Sequence, residues 1–176
     1  MSTIPDWCFS VCRNPATAMG LPLALGFLSG YGSAEMRSKR TGQTLKSQTS
    51  CPTHPAMTWI WNAMYPLAGY AAYLTVKDFD AAITPLETNN ALAAFKLYWV
   101  QLGLNLLWPP VFVGQGQSMV GLGIMTCLFG TVAAMTAKMN NLFTPVNTTW
   151  FLAPYLGFLG YNLYENFVAV KNSQHA

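Results

Sequence analysis

Leu97 to Val113 reads LYWVQLGLNLLWPPVFV, and beyond the turn Gly114-Gln115-Gly116-Gln117-Ser118 the segment Met119 to Ala137 reads MVGLGIMTCLFGTVAAMTA. No Asp, Glu, Lys or Arg interrupts the chain between Lys96 and Lys138. A helix rises about 1.5 Å per residue, so roughly 20 residues cross a hydrocarbon core of about 30 Å. Both segments approach that length and are apolar around their whole circumference. This predicts a helical hairpin in lipid, because a helix on a soluble domain would carry a polar face.

The rest of the chain has the same character. Charged residues make up 9% of it and apolar residues 52%, against roughly 25% charged in soluble proteins. The charges gather at Arg13, Glu35 to Lys46, Lys77 to Glu87, Lys96, Lys138, Glu165 and Lys171. The stretches between them predict an all-α membrane protein, a bundle of five transmembrane helices over about 15–35, 57–76, 94–113, 119–137 and 147–170. Residues 1–14 are then an N-terminal tail, 15–170 the membrane domain and 171–176 a C-terminal tail, with loops near 36–56 and 77–93. Pro22, Pro66, Pro109 and Pro110 predict kinks, since neighbouring helices in a membrane bundle can re-satisfy the carbonyls they free.

Arg37, Lys39, Arg40 and Lys46 share a face with Lys171. On the other face Arg13, Lys77, Lys96 and Lys138 are diluted by Asp6, Asp78, Asp80 and Glu87. The bias places the C-terminus in the cytosol. The N-terminal sequence has no basic region followed by an apolar core and a cleavage site, so the first span is expected to be retained. Cys8, Cys12, Cys51 and Cys127 form no metal-ligand pattern and are expected as free thiols. A net charge of +3 gives no support for nucleic-acid binding. There is no glycine loop for a nucleotide, and no chain of buried carboxylates for proton-coupled pumping.

Polar groups within a bilayer turn toward the bundle interior. Gln101, Asn105 and Trp108 fall at i, i+4 and i+7, one stripe of a helix. Phe158, Asn162 and Glu165 repeat that spacing, and Trp61 and Tyr65 are i, i+4 neighbours. Three helices thus offer amides and aromatic rings at similar depth, which suits a cavity for a flat, largely apolar ligand with a few polar handles. The competing reading is interhelical hydrogen-bond glue for the amides and close packing for Gly20, Gly26, Gly30, Gly32, Gly121, Gly123 and Gly130. Trp59, Trp99 and Trp150 are assigned to interfacial belts.

These same residues carry a resemblance. Trp61-Asn62-Ala63-Met64-Tyr65 with Ala68-Gly69-Tyr70-Ala71-Ala72-Tyr73, the run Gln101 to Gly114 and Ala153-Pro154-Tyr155-Leu156-Gly157-Phe158 resemble, in order, signatures of the translocator protein family, the TspO or peripheral-type benzodiazepine receptor proteins. The resemblance covers roughly residues 15–170. It implies a five-helix, often dimeric bundle that binds porphyrin or haem, sterols and synthetic isoquinoline or benzodiazepine-type ligands, with Trp61, Tyr65, Asn105 and Trp108 lining the pocket. For eukaryotic members it implies the outer mitochondrial membrane with the C-terminus cytosolic. It implies no required cofactor; a tetrapyrrole would be a ligand.

Two departures stand out. Phe158 occupies a position usually Trp, a residue linked in bacterial relatives to light-dependent porphyrin breakdown, and this weakens an enzymatic reading. The sterol-contact pattern of Leu159 and Tyr164 is broken by Lys171, one residue beyond the allowed spacing. His54, beside Cys51-Pro52, is a candidate axial ligand for haem iron. The resemblance thus implies a receptor or carrier, with a porphyrin-degrading enzyme and a membrane adaptor acting through protein partners as the alternatives.

Overall fold

The computed structural model describes residues 4–41, 55–111, 118–142 and 148–174. Among them the chain is helical: α1 (Asp6–Arg13), α2 (Pro15–Thr41), α3 (Pro55–Ala81), α4 (Pro85–Pro109), α5 (Ser118–Met139) and α6 (Thr149–Gln174). The five long helices have 22 to 27 residues. At about 1.5 Å per residue each is long enough for a hydrocarbon core. Following the packing contacts, α2 neighbours α3, α3 neighbours α6, α6 neighbours α5, α5 neighbours α4, and α4 returns to α2 while also touching α3.

The bundle exposes large apolar side chains while a few polar ones are buried within its apolar core. Phe27, Leu28, Tyr31, Val100, Leu107, Met119 and Phe167 are exposed, whereas Thr75, Gln101, Asn105, Asn162 and Asn166 are buried. Met119–Met139 is the one helix among the described residues whose length and composition alone suffice for a crossing. The other long helices contain the inward amides or terminal charges, which lower their average hydropathy.

Helix α2 runs on to Thr41 and α6 to Gln174, past the expected span ends at 35 and 170, and two further boundaries differ from the sequence reading. The expected tail before Asn14 contains helix α1, which is too short for a span-length window to register. An eight-residue helix is marginal alone, and this one is held by docking. Phe9 meets Phe79 at 5.1 Å and Phe95 at 4.7 Å between ring centroids, and Trp7 sets its edge against Trp99 at 5.5 Å. The Arg13 guanidinium donates two bonds of 2.9 Å to the Asp80 carboxylate on α3. Trp99 is therefore engaged by α1 and by Phe95 and Tyr98, while Trp59 and Trp150, 73% and 79% exposed, remain on the outer surface as a belt requires. Cys8 and Cys12, free thiols, lie on the buried face of α1, and burial, aided by neighbouring Cys8, pushes the Cys12 thiol up to about 12.

The second difference is the expected loop near 77–93, which shrinks to residues 82–84 between α3 and α4. Thr84 caps α4 and Pro85 opens it. The Thr84 hydroxyl accepts from the Glu87 amide at 3.3 Å, while the Glu87 carboxylate accepts from the Thr84 and Ile83 amides at 3.1 Å each. This reciprocal arrangement satisfies donors that a helix start leaves open. Charges of this density read as a loop, yet they sit on helix ends beyond the apolar segments.

Of the glycines expected at close crossings, Gly26 fits: a Cβ there would overlap the Tyr65 ring. Gly20, Gly30, Gly32, Gly123 and Gly130 instead have open space where a side chain would be. The tightest approach is at Gly69, where a Cβ would run into the Ala18 carbonyl oxygen of α2. Backbone cannot rotate aside as a side chain can. Gly69→Ala is expected to destabilise the bundle by about 1–3 kcal/mol, as overpacking does, read as an earlier midpoint in detergent denaturation; an unchanged midpoint contradicts the crossing.

The α4 cap also predicts a pH dependence. The Thr84 and Ile83 amides hold the Glu87 carboxyl below its ordinary value of 4.5. A depressed pKa means that the contribution is complete above the unfolded value and is lost as pH falls through the lower folded value. Amide exchange at Ile83 and Thr84, corrected for its intrinsic pH dependence, should remain protected at about pH 6 and lose protection on acidification below 4.5. Protection that is constant across that range would show that the carboxylate does not act as a cap.

Candidate functional site

The residues singled out on three helices do converge. Trp61 and Tyr65 come from α3, Gln101, Asn105 and Trp108 from α4, and Phe158 from α6. Trp61 stacks on Trp108 with ring centroids 5.3 Å apart and planes inclined by 26°, and Phe158 meets the Trp61 ring edge-on, also at 5.3 Å. The Trp61 indole N–H donates to the Tyr65 hydroxyl at 3.1 Å. Since Gly26 leaves room for the Tyr65 ring, the α2–α3 crossing fixes Tyr65, which in turn orients Trp61.

Beside this aromatic group lies a polar one. Gln101 Nε2 donates to the Tyr155 hydroxyl at 2.8 Å, and Asn105 Nδ2 donates to the same oxygen. The two amides are one helical turn apart and Tyr155 stands on α6, so a single hydroxyl ties α4 to α6. Gln101 is 1% exposed and Asn105 3%. Their side-chain oxygens, Oε1 and Oδ1, find no donor in the protein among the described residues. Leaving such an oxygen buried and unpaired costs roughly 1–3 kcal/mol.

Tyr155 escaped the sequence reading as a site residue, although its signal was present. Tyr155, Phe158 and Asn162 fall at i, i+3 and i+7, so the α6 stripe begins one turn earlier than Phe158. Two members of the expected stripe behave differently. Asn162 is buried, but its amide donates to the Phe158 carbonyl of its own helix at 2.8 Å, and Asn166 repeats the pattern toward Asn162 at 2.7 Å. Glu165 takes a hydrogen bond from the exposed Tyr161 hydroxyl one turn back. It therefore belongs to the outer side of α6. His54 lies outside the described residues, as does the turn Gly114 to Gln117.

The rings of Trp61, Trp108 and Phe158 touch one another, so the interior is lined and occupied by the same side chains. An open concavity lies elsewhere. It is a groove of about 440 Å³ on the outer face of α5 and α6, lined by Leu122, Thr126, Gly160, Leu163, Tyr164 and Phe167. The described residues include no cluster of three or more His, Cys, Asp or Glu able to hold a metal ion.

A model of the TspO/MBR family matches residues 18–171, nearly the whole chain and all the elements that carry the site. This chain belongs to the TspO/MBR family. It is 30% identical to the human translocator protein over 169 residues, covering 96% of this chain and 92% of that one. A translocator protein homolog from Schizosaccharomyces pombe is 29% identical over 89% of this chain and 90% of its own length. The translocator protein of Sus scrofa is 31% identical over 70% of this chain and 69% of its own. TspO/MBR proteins are membrane helical bundles, which accounts for the apolar exterior and amide-bearing interior. The family match begins after α1, so the docked N-terminal helix lies outside the matched region.

The shared hydroxyl can be tested on its own. Tyr155→Phe removes the common acceptor of two buried amides and is expected to cost about 1–3 kcal/mol, lowering the denaturation midpoint while preserving helix content. Equal stability of the variant would mean that the two amides find other partners.

Proposed function

We propose that this protein is an integral membrane receptor or carrier that holds a tetrapyrrole, porphyrin or haem, and also sterols, between α3, α4 and α6, and serves in their transport or homeostasis. The supporting observation is the stack of Trp61 on Trp108, flanked by Phe158 and set beside the Gln101–Asn105–Tyr155 group. A flat apolar ligand entering between the indoles exchanges ring-on-ring contact for ring-on-ligand contact on two faces. Offset stacking is the geometry that aromatic faces favour. Trp61 is half-buried and Trp108 buried, so the Trp61 side is the one a guest meets first and Trp108 forms the inner wall.

The same reading places the protein in the outer mitochondrial membrane with its C-terminus cytosolic, in line with the cations Arg37, Lys39, Arg40, Lys46 and Lys171 on one face. Those cations suit anionic lipid headgroups or ligand carboxylates. Gly103 is exposed on α4 and has open space where a Cβ would stand, which suits a homodimer seam.

Titration with protoporphyrin, followed by quenching of tryptophan emission in nanodiscs, tests the site. The parent should show saturable quenching. Asn105→Ala combined with Trp108→Ala should weaken binding by at least tenfold, which is about 1.4 kcal/mol. Unchanged affinity in that double variant would remove the proposed pocket.

A further inference from the structure

The groove of about 440 Å³ on the outer face of α5 and α6 shares no residue with the aromatic interior. Its walls are apolar, and the one hydroxyl that α5 contributes, that of Thr126, is spent on the Leu122 carbonyl at 2.8 Å. In a bilayer such a groove opens to hydrocarbon. Gly160, Tyr164 and Phe167 from its α6 wall fall at i, i+4 and i+7, and Lys171 at i+11 continues the same stripe. Lys171 is exposed in the last turn of α6 and forms no ion pair among the described residues. From Gly160 to Lys171 the helix rises roughly 16 Å, about half of a hydrocarbon core of about 30 Å. The stripe therefore spans one leaflet, with its cation at the headgroup end.

Two further features make that end electropositive. Helices α5 and α6 are consecutive and packed together, so the N-terminus of α5, one turn before Leu122, shares this end with Lys171 and presents the positive pole of its helix dipole. Glu165, the nearest acid on α6, is five residues from Gly160, which turns it to another side of the helix, where it meets the Tyr161 hydroxyl.

We infer that this groove is a binding site for an anionic phospholipid of the surrounding bilayer, with an acyl chain along Gly160, Tyr164 and Phe167 and the phosphate at Lys171. An uncharged sterol leaves the cation unmatched. A second copy docked here about a two-fold axis along the membrane normal sets two Lys171 side chains at the same depth, where they repel. The site is independent of the interior pocket and stands or falls without it.

Native mass spectrometry of the full chain, released from nanodiscs of equal parts phosphatidylglycerol and phosphatidylcholine, counts the lipid that stays bound. Retained phosphatidylglycerol should exceed phosphatidylcholine about fivefold, the ratio that one lysine near an anionic headgroup supports. Lys171→Gln should bring the ratio toward one, and Lys171→Arg should keep it. A Cβ at Gly160 meets only the Phe129 ring, at an ordinary 3.7 Å, so Gly160→Leu fills the groove while leaving the cation, and should lose the retained lipid. Circular dichroism checks folding, and Thr126→Phe fills the groove from α5 if Gly160→Leu does not fold. Equal retention of the two lipids by the parent overturns the inference. So does a preference that survives filling of the groove, which would belong to other cations such as Arg37 and Lys46. Displacement of phosphatidylglycerol by cholesterol added to the nanodiscs would assign the groove to a sterol, and a dimer without retained lipid, lost in Gly160→Leu, would assign it to a second copy; either result overturns the phospholipid.

Discussion

One hydroxyl, that of Tyr155, receives hydrogen bonds from two amides on α4, and the interior of the bundle is arranged around it. In a hydrocarbon surrounding, a polar side chain facing outward has nothing to bond with, so Gln101 and Asn105 must turn inward. Once inward they need partners. Tyr155 supplies the shared one from across the bundle, which sets the rotation of α6 against α4. The side chains one turn along each helix then follow. Trp108 is presented by α4 and Phe158 by α6, both toward Trp61.

The third wall depends on a different constraint. Helices α2 and α3 approach so closely that Gly69 abuts the Ala18 carbonyl and Gly26 lies against the Tyr65 ring. Tyr65 thereby becomes a fixed post, and the Trp61 indole N–H rests on its hydroxyl. The aromatic surface is thus assembled from one wall held by amide chemistry and another held by backbone proximity. The end of the bundle near α3 and α4 is closed by α1, through Phe9 and the Arg13–Asp80 pair. The result is an interior with stacking aromatic faces beside a polar group.

Much of this could be read in the sequence, and for physical reasons. The charge-free run from Leu97 to Ala137 can form only apolar helices, and period-3.6 spacing puts Gln101, Asn105 and Trp108 on one face. Convergence of α3, α4 and α6 followed from the cost of polarity in lipid. Other features escaped because their cause is tertiary. Helix α1 is too short to be stable without the α3 and α4 surfaces under Phe9. The Thr84–Glu87 cap lies among charges that read as a loop. Asn162 has the spacing of a site residue, but its amide bonds its own backbone, an alternative that spacing cannot distinguish. Glycine likewise marks a close crossing only when a neighbour is there to approach it, as at Gly26 and Gly69, whereas Gly30 and Gly123 face open space. Tyr155 was masked by its type, since a tyrosine near the start of a membrane helix ordinarily serves as an interfacial anchor.

The central claim is that Trp108 faces a shared interior built by α3, α4 and α6 and is shielded from lipid. It is tested most directly in a variant retaining Trp108 as its sole tryptophan, reconstituted in bilayers of brominated lipid and then exposed to protoporphyrin. The account predicts emission unaffected by bromine on the acyl chains and strongly quenched by the porphyrin. Strong quenching by the brominated chains, with none from the porphyrin, would place this ring against lipid and contradict it.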